Sequence, residues 1–103
     1  MKTSVVMKRD LMGLCVRQET GSKMFNANDM VAIGNAHREN LGLSKKQLAS
    51  YFELDSTCEL INAICIEDNV QLDDVKRSKR GINGGTWVHP ILFVDMAMWF
   101  SPQ

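Results

Sequence analysis

Hydrophobic positions open this chain in two short runs and then take up helical spacing. VVMKR (5–9) and LCVRQ (14–18) are rich in β-forming residues and are separated by DLMG, where Gly13 suits the positive φ of a tight turn. That arrangement predicts a β-hairpin. ETGSK (19–23) predicts a second turn and MFNA a short extended piece. Asn28 then fits a helix N-cap, since its side-chain oxygen can accept from free amides of the first turn. The helix is expected to run to about Glu39, with Met30, Ile33 and His37 on one stripe and Leu41-Gly42 ending it.

Ser44 is expected to cap a second helix, KKQLASYF, that turns Leu48, Tyr51 and Phe52 inward. Asp55-Ser56 opens a third, in which Ser56 and Glu59 have capping-box spacing. Leu60, Ile61, Ile64 and Cys65 would line its buried face as far as Glu67. Residues 44–67 thus read as helix, short turn, helix, the skeleton of a helix-turn-helix. From 68 to 85 no helical stripe survives, and glycines stand at 81, 84 and 85. TWV (86–88) is strand-like, and VQLDDV (70–75) is expected to pair with it across a basic tip. Pro90 at a first helical position starts ILFVDMAMWF, apolar nearly all round and so expected to be mostly buried. The fold class that follows is α+β: an N-terminal β-hairpin, about four helices, and a helix-turn-helix with a Gly-rich basic β-wing.

Composition narrows the function. The 103 residues suit one domain, and 45% apolar with 23% charged is the balance of a globular chain. Twelve Lys and Arg face twelve Asp and Glu, so any nucleic-acid binding must rest on local charge. Lys76, Arg77, Lys79 and Arg80 supply that locality, beside flexible glycine backbone. Such a run is usually a solvated loop. Following a helix-turn-helix, it stands where a wing would carry cations to phosphates or into a groove. Glu67, Asp68, Asp73 and Asp74 cancel the charge overall while leaving the tip positive. Ser56 and Thr57, with Lys45 and Lys46 beside them, are expected to face the duplex, and Asn83 either meets a base edge or shapes the turn.

Catalysis finds little support. His37 and His89 are the only histidines, and no carboxylates form an evident acid/base pair, so no enzyme is expected. His89, before Pro90, reads as a capping or hydrogen-bonding residue. Cys15, Cys58 and Cys65 form no CxxC and no metal-ligand spacing, which suits a reducing compartment and predicts neither metal nor cofactor. Cys58 and Cys65 are expected as small buried hydrophobes on one helix face, and Trp87, Trp99, Met30, Met96 and Met98 as core. Gly84-Gly85 belongs to no phosphate-loop motif. Residues 91–100, broken by Asp95, are too short to span a bilayer, so a cytoplasmic protein is expected.

Gly85-Thr86-Trp87-Val88-His89-Pro90, followed by Leu92, Ala97, Trp99 and Ser101-Pro102, resembles the signature of the KilA-N domain. That module of phages and large DNA viruses is itself similar to the APSES domain of fungal transcription factors. Asn26-Ala27-Asn28-Asp29 resembles the family's motif at the start of its first helix, and YFELDSTCELI (51–61) its aromatic, turn and Ser/Thr-led helix. The resemblance covers nearly the whole chain. It implies a double-stranded-DNA-binding domain of a phage or prophage regulator, antirepressor-like, acting in a bacterial host cell. Phe93, where the family usually has a small residue, and Tyr51, where tryptophan is common, imply local repacking. Trp87 is expected to anchor the wing to the core. The rival reading is a protein–protein interaction module that binds a repressor without touching DNA. A homodimer, or a C-terminal effector domain beyond Gln103, is the further partner expected, because the chain ends hard against an apolar helix.

Overall fold

The N-terminal hairpin forms: β1 (Val6–Leu11) pairs antiparallel with β2 (Leu14–Glu19), Val6 opposite Glu19 and Leu11 opposite Leu14. The computed structural model describes residues 6–11, 14–81 and 84–100, so Gly13 and the turn expected there lie outside the described residues. A turn at 19–24 is closed by Lys23 N donating to Glu19 O (2.8 Å). It leads into β3 (Phe25–Asn26). Two later strands, β4 (Lys76–Lys79) and β5 (Gly85–Val88), complete a sheet of order β1-β2-β3-β5-β4, antiparallel throughout.

Helix α1 (Ala27–Asn40) has its cap two residues earlier than expected. Asn26, not Asn28, is the N-cap, its Oδ1 accepting from Asp29 N at 2.9 Å. Leu41 closes the helix, and Gly42 then turns the chain at φ 77°. Helix α2 is only Leu48–Phe52, and Ser44 is not its cap. The reason lies on α1. Asn35 takes both the N–H and the C=O of Lys46 at 2.8 Å, and Arg38 Nε donates to Ser44 O at 2.7 Å. Those backbone groups are thereby withdrawn from helix formation.

Glu53 and Leu54 separate α2 from α3 (Asp55–Glu67), the break falling at Leu54 with ψ 138°. Leu54 is the N-cap of α3 and bonds through no side chain, so the expected Ser56–Glu59 capping box is absent. Ser56 already lies inside the helix, where its side chain cannot take the cap position. Leu48, Phe52, Leu60 and Ile64 nonetheless share one core.

Helix α4 (Pro90–Phe100) is the spine of that core. His89 Nδ1 accepts from Ile91 N (3.1 Å), the capping role expected of it. Phe93 stacks on Phe25 of the sheet at 4.7 Å and is fully buried, a burial that contributes about 1.5–3 kcal/mol. Gly34 lets α1 approach α4, since a Cβ there would stand 3.0 Å from the Phe100 ring. Tyr51 is buried, and its hydroxyl donates to Asp95 Oδ2 on α4 at 2.6 Å. Burial, then that bond, raises its pKa, so the phenol keeps its proton. The helix is not buried all round: Ile91, Val94 and Met98 are 52%, 36% and 59% exposed along one stripe. His37 and Cys58 likewise face solvent, where inward positions were expected. Among the described residues no helix is long and apolar enough to cross a membrane.

Candidate nucleic-acid interface

The basic run is a strand, not a tip. Residues 76–79 pair with 85–88, Lys76 opposite Val88, Arg77 opposite Trp87 and Lys79 opposite Gly85. The expected partner, residues 70–75, instead makes a single 3-10 turn at Leu72–Asp74 and buries Val75. Asp74 Oδ2 accepts from Gln71 N (3.1 Å), which stabilises the turn rather than an extended chain.

Because strand side chains alternate, the four cations cannot act as one patch. The partner registers place Phe25, Val88 and Lys76 on the face toward the helices, and Asn26, Trp87 and Arg77 on the other. Lys76 Nζ accordingly lies 4.2 Å from the Phe52 ring centroid, against α2. Arg77 and Lys79 point to the outer face. Arg80 follows the strand, exposed, with no ion pair among the described residues. Asn83 lies outside the described residues.

On the outer face Trp87 is fully buried, as a residue anchoring the hairpin would be, although it lies outside the main apolar cluster. Two cations lie over its ring. The Arg17 guanidinium and Lys79 Nζ each lie 5.8 Å from its ring centroid. Arg17 is held by Asp29 through Nε (2.9 Å) and Nη2 (3.0 Å). Lys79 Nζ donates to Glu19 Oε2 at 2.5 Å, Arg77 Nη1 stands 3.8 Å from Glu19 Oε1, and Ser22 Oγ donates to that oxygen at 2.6 Å. Burial pushes the Glu19 carboxyl up, but the bonds from Lys79 and Ser22 and the two cationic charges outweigh it, holding its pKa below the usual value.

The base of the hairpin is stitched to the start of α1. Asn28 Oδ1 accepts from Thr86 N (2.7 Å), and Asn26 Nδ2 donates to Gly84 O (3.4 Å). Gly85 has φ 117°, and a Cβ on it would fall 2.5 Å from Asn28 Oδ1. The asparagine motif and the Gly-Thr-Trp motif are therefore two halves of one joint.

The remaining candidates scatter. Lys45 is exposed and 3.4 Å from Glu39. Lys46 Nζ donates to Trp99 O (2.6 Å) and lies 4.4 Å from the Trp99 ring centroid, and burial, then the Arg38 charge, lowers its pKa. Ser56 is exposed. Thr57 is fully buried; its Oγ1 makes no well-formed hydrogen bond but stands close enough to the Tyr51 hydroxyl to oppose the rise in that group's pKa. It offers nothing to a ligand at the surface. Helix α3 carries Asp55, Glu59 and Glu67, all exposed, and no Lys or Arg. Sequence reading gave Arg17 and Glu19 no role, because it ended the strand at Gln18 and put Glu19 in the turn, whereas β2 runs to Glu19 and sets the two on one face; Asp29 was noted only within the 26–29 motif.

The family model described as KilA-N domain matches residues 8–103. Neither a curated protein nor a solved structure matches the chain.

Proposed function

Since the chain belongs to the KilA-N domain family, a family of DNA-binding modules, we propose that it binds double-stranded DNA through the 76–88 hairpin. The finer role we assign is that of the DNA-binding domain of an antirepressor-like phage or prophage regulator. The observation that carries the hairpin reading is its joint with α1: Asn26, Asn28 and Gly85 fix a two-stranded ribbon whose far end bears exposed Arg80. A ribbon rigid at its base and cationic at its end is suited to phosphates, which position a protein on a duplex without reading its sequence. Lys76, at the hairpin's junction with α2, and exposed Lys45 and Ser56 complete the contact set. Lys46 and Thr57 leave it, because one holds Trp99 and the other is buried.

Selection from random duplexes with the purified domain, followed by affinity against salt, tests this. Contacts from Lys45, Lys76 and Arg80 give a slope of log affinity on log salt of about −2 to −3. A second reading, a module that binds another protein, is favoured by the acidic outer side of α3 and the exposed Ile91, Val94 and Met98 stripe. It expects no enrichment of any duplex and an interaction nearly insensitive to salt.

A further inference from the structure

Two of the hairpin's four cations face a carboxylate that the DNA reading does not use. Glu19 ends β2, and its side chain is 3% exposed. Lys79 and Arg77 come to it from β4, which in the sheet order lies beyond β3 and β5. The contact therefore does not arise between neighbouring strands. It reaches across β5 and β3 from the edge strand β4 to β2, past the Trp87 ring.

We propose that Glu19 is the positioning residue of this hairpin. It holds Lys79 and Arg77 against the outer face and withholds their charge from the duplex, leaving Lys76 and Arg80 as the hairpin's phosphate contacts. The inference rests on the DNA-binding reading of the hairpin. Its physical basis has three parts. A carboxylate this buried has little water to replace its cations, so releasing them is unfavourable. A phosphate brought to Lys79 Nζ would stand close to the Glu19 oxygen 2.5 Å away, and like charges at that range repel. Lys79 also lies opposite Gly85, at the end of the ladder next to the turn, where an edge strand without such a tie would fray. Lys76, on the other face, and Arg80, beyond the strand, have no carboxylate partner among the described residues.

A mutant cycle on duplex binding tests the withholding. Arg77→Gln with Lys79→Gln is introduced into the wild-type and the Glu19→Gln backgrounds, and the salt slope is measured in all four proteins. In the wild-type background the slope should change by under about 0.5. In Glu19→Gln, where Lys79 is free and Arg77 keeps only the exposed Asp74 carboxylate at 3.9 Å, the same pair should change it by about 1–2, at roughly 0.9 per phosphate contact. Equal changes in the two backgrounds overturn the proposal. Should Glu19→Gln not fold, Glu19→Asp, one methylene too short for the Lys79 contact, takes its place with the same expectation. Amide exchange without DNA supplies an independent arm. Amides of 76–79 and 85–88 should exchange faster in Glu19→Gln while those of α4 do not, and unchanged hairpin exchange overturns the holding role. If the wild-type protein shows no salt-dependent duplex binding, the DNA reading fails, and the exchange arm still decides whether Glu19 holds the hairpin.

Discussion

Neighbouring basic residues in this hairpin have unequal jobs, and their stability costs should differ accordingly. Lys79→Ala strips the closest cation from a buried carboxylate, and we expect a loss of about 2–4 kcal/mol. Arg80→Ala touches an exposed side chain and should stay within about 0.5 kcal/mol. Denaturant unfolding of the two variants checks this, and equal costs would mean that Glu19 is satisfied without Lys79. The same carboxylate sets a pH dependence. Its folded pKa lies below its unfolded value, so its contribution is present above the ordinary carboxylate range, near pH 4.5, and is lost as pH falls through the folded value. The stability advantage of wild type over Glu19→Gln should therefore shrink on acidification. An advantage that is constant from neutral pH into acid contradicts the linkage. None of this could be read from KRSKR as a charge run. Composition shows how many cations there are, whereas strand alternation and a partner some sixty residues earlier decide which are free.

At the scale of elements, the joint between β5 and α1 is the more fragile part. Gly85→Ala forces φ 117° on a residue with a Cβ and drives that atom into Asn28 Oδ1, so the hairpin base must open. Asn28→Ala removes one bond to Thr86 N and leaves the backbone alone, a loss of about 1 kcal/mol. We expect a larger fall in melting temperature for Gly85→Ala. Helix α3 makes a separate prediction. If it lies over phosphates, Glu59→Gln with Glu67→Gln should tighten duplex binding; if the hairpin leads, affinity should hardly move. We expect the second outcome, since a helix with three carboxylates and no cation is a poor surface for a duplex. Element types were legible in the sequence: all four helices and the N-terminal hairpin follow from apolar spacing, Pro90 and Leu41-Gly42. The starts of α3 at Asp55 and α4 at Pro90 were legible as well, but the starts of α1 and α2 and the capping residues were not. Ser44 and Ser56 have the chemistry of caps, but Asn35 and Arg38 claim the backbone around Ser44, and α3 begins at Asp55, capped by an apolar residue with no side-chain bond.

Over the whole molecule, α4 is the member on which the other helices and the sheet converge, and it is fixed at both ends. His89 caps its first turn and lies 3.1 Å from Asp68, just past α3. At the other end Lys46 donates to Trp99 O and Arg38 to Phe100 O (3.5 Å), so two cations from the α1–α2 region meet the carbonyls where a helix is partially negative. This ties the candidate interface to stability in a way that charge alone conceals. Read as a lysine beside a helix-turn-helix, Lys46 belongs with Lys45 as a DNA contact. Read from its geometry, it belongs to the fold, with its ammonium over the Trp99 ring and its pKa lowered by burial. The two assignments separate in one experiment. Lys46→Met keeps the aliphatic stem but loses the carbonyl bond and the cation–π contact, and should cost about 1–3 kcal/mol. Its duplex-binding salt slope, measured well below the lowered melting temperature, should match wild type. Lys45→Met should do the reverse, leaving stability within about 0.5 kcal/mol and flattening the slope by about 0.9. A Lys46 variant of unchanged stability and flattened slope would return that residue to the interface and remove it from the end of α4.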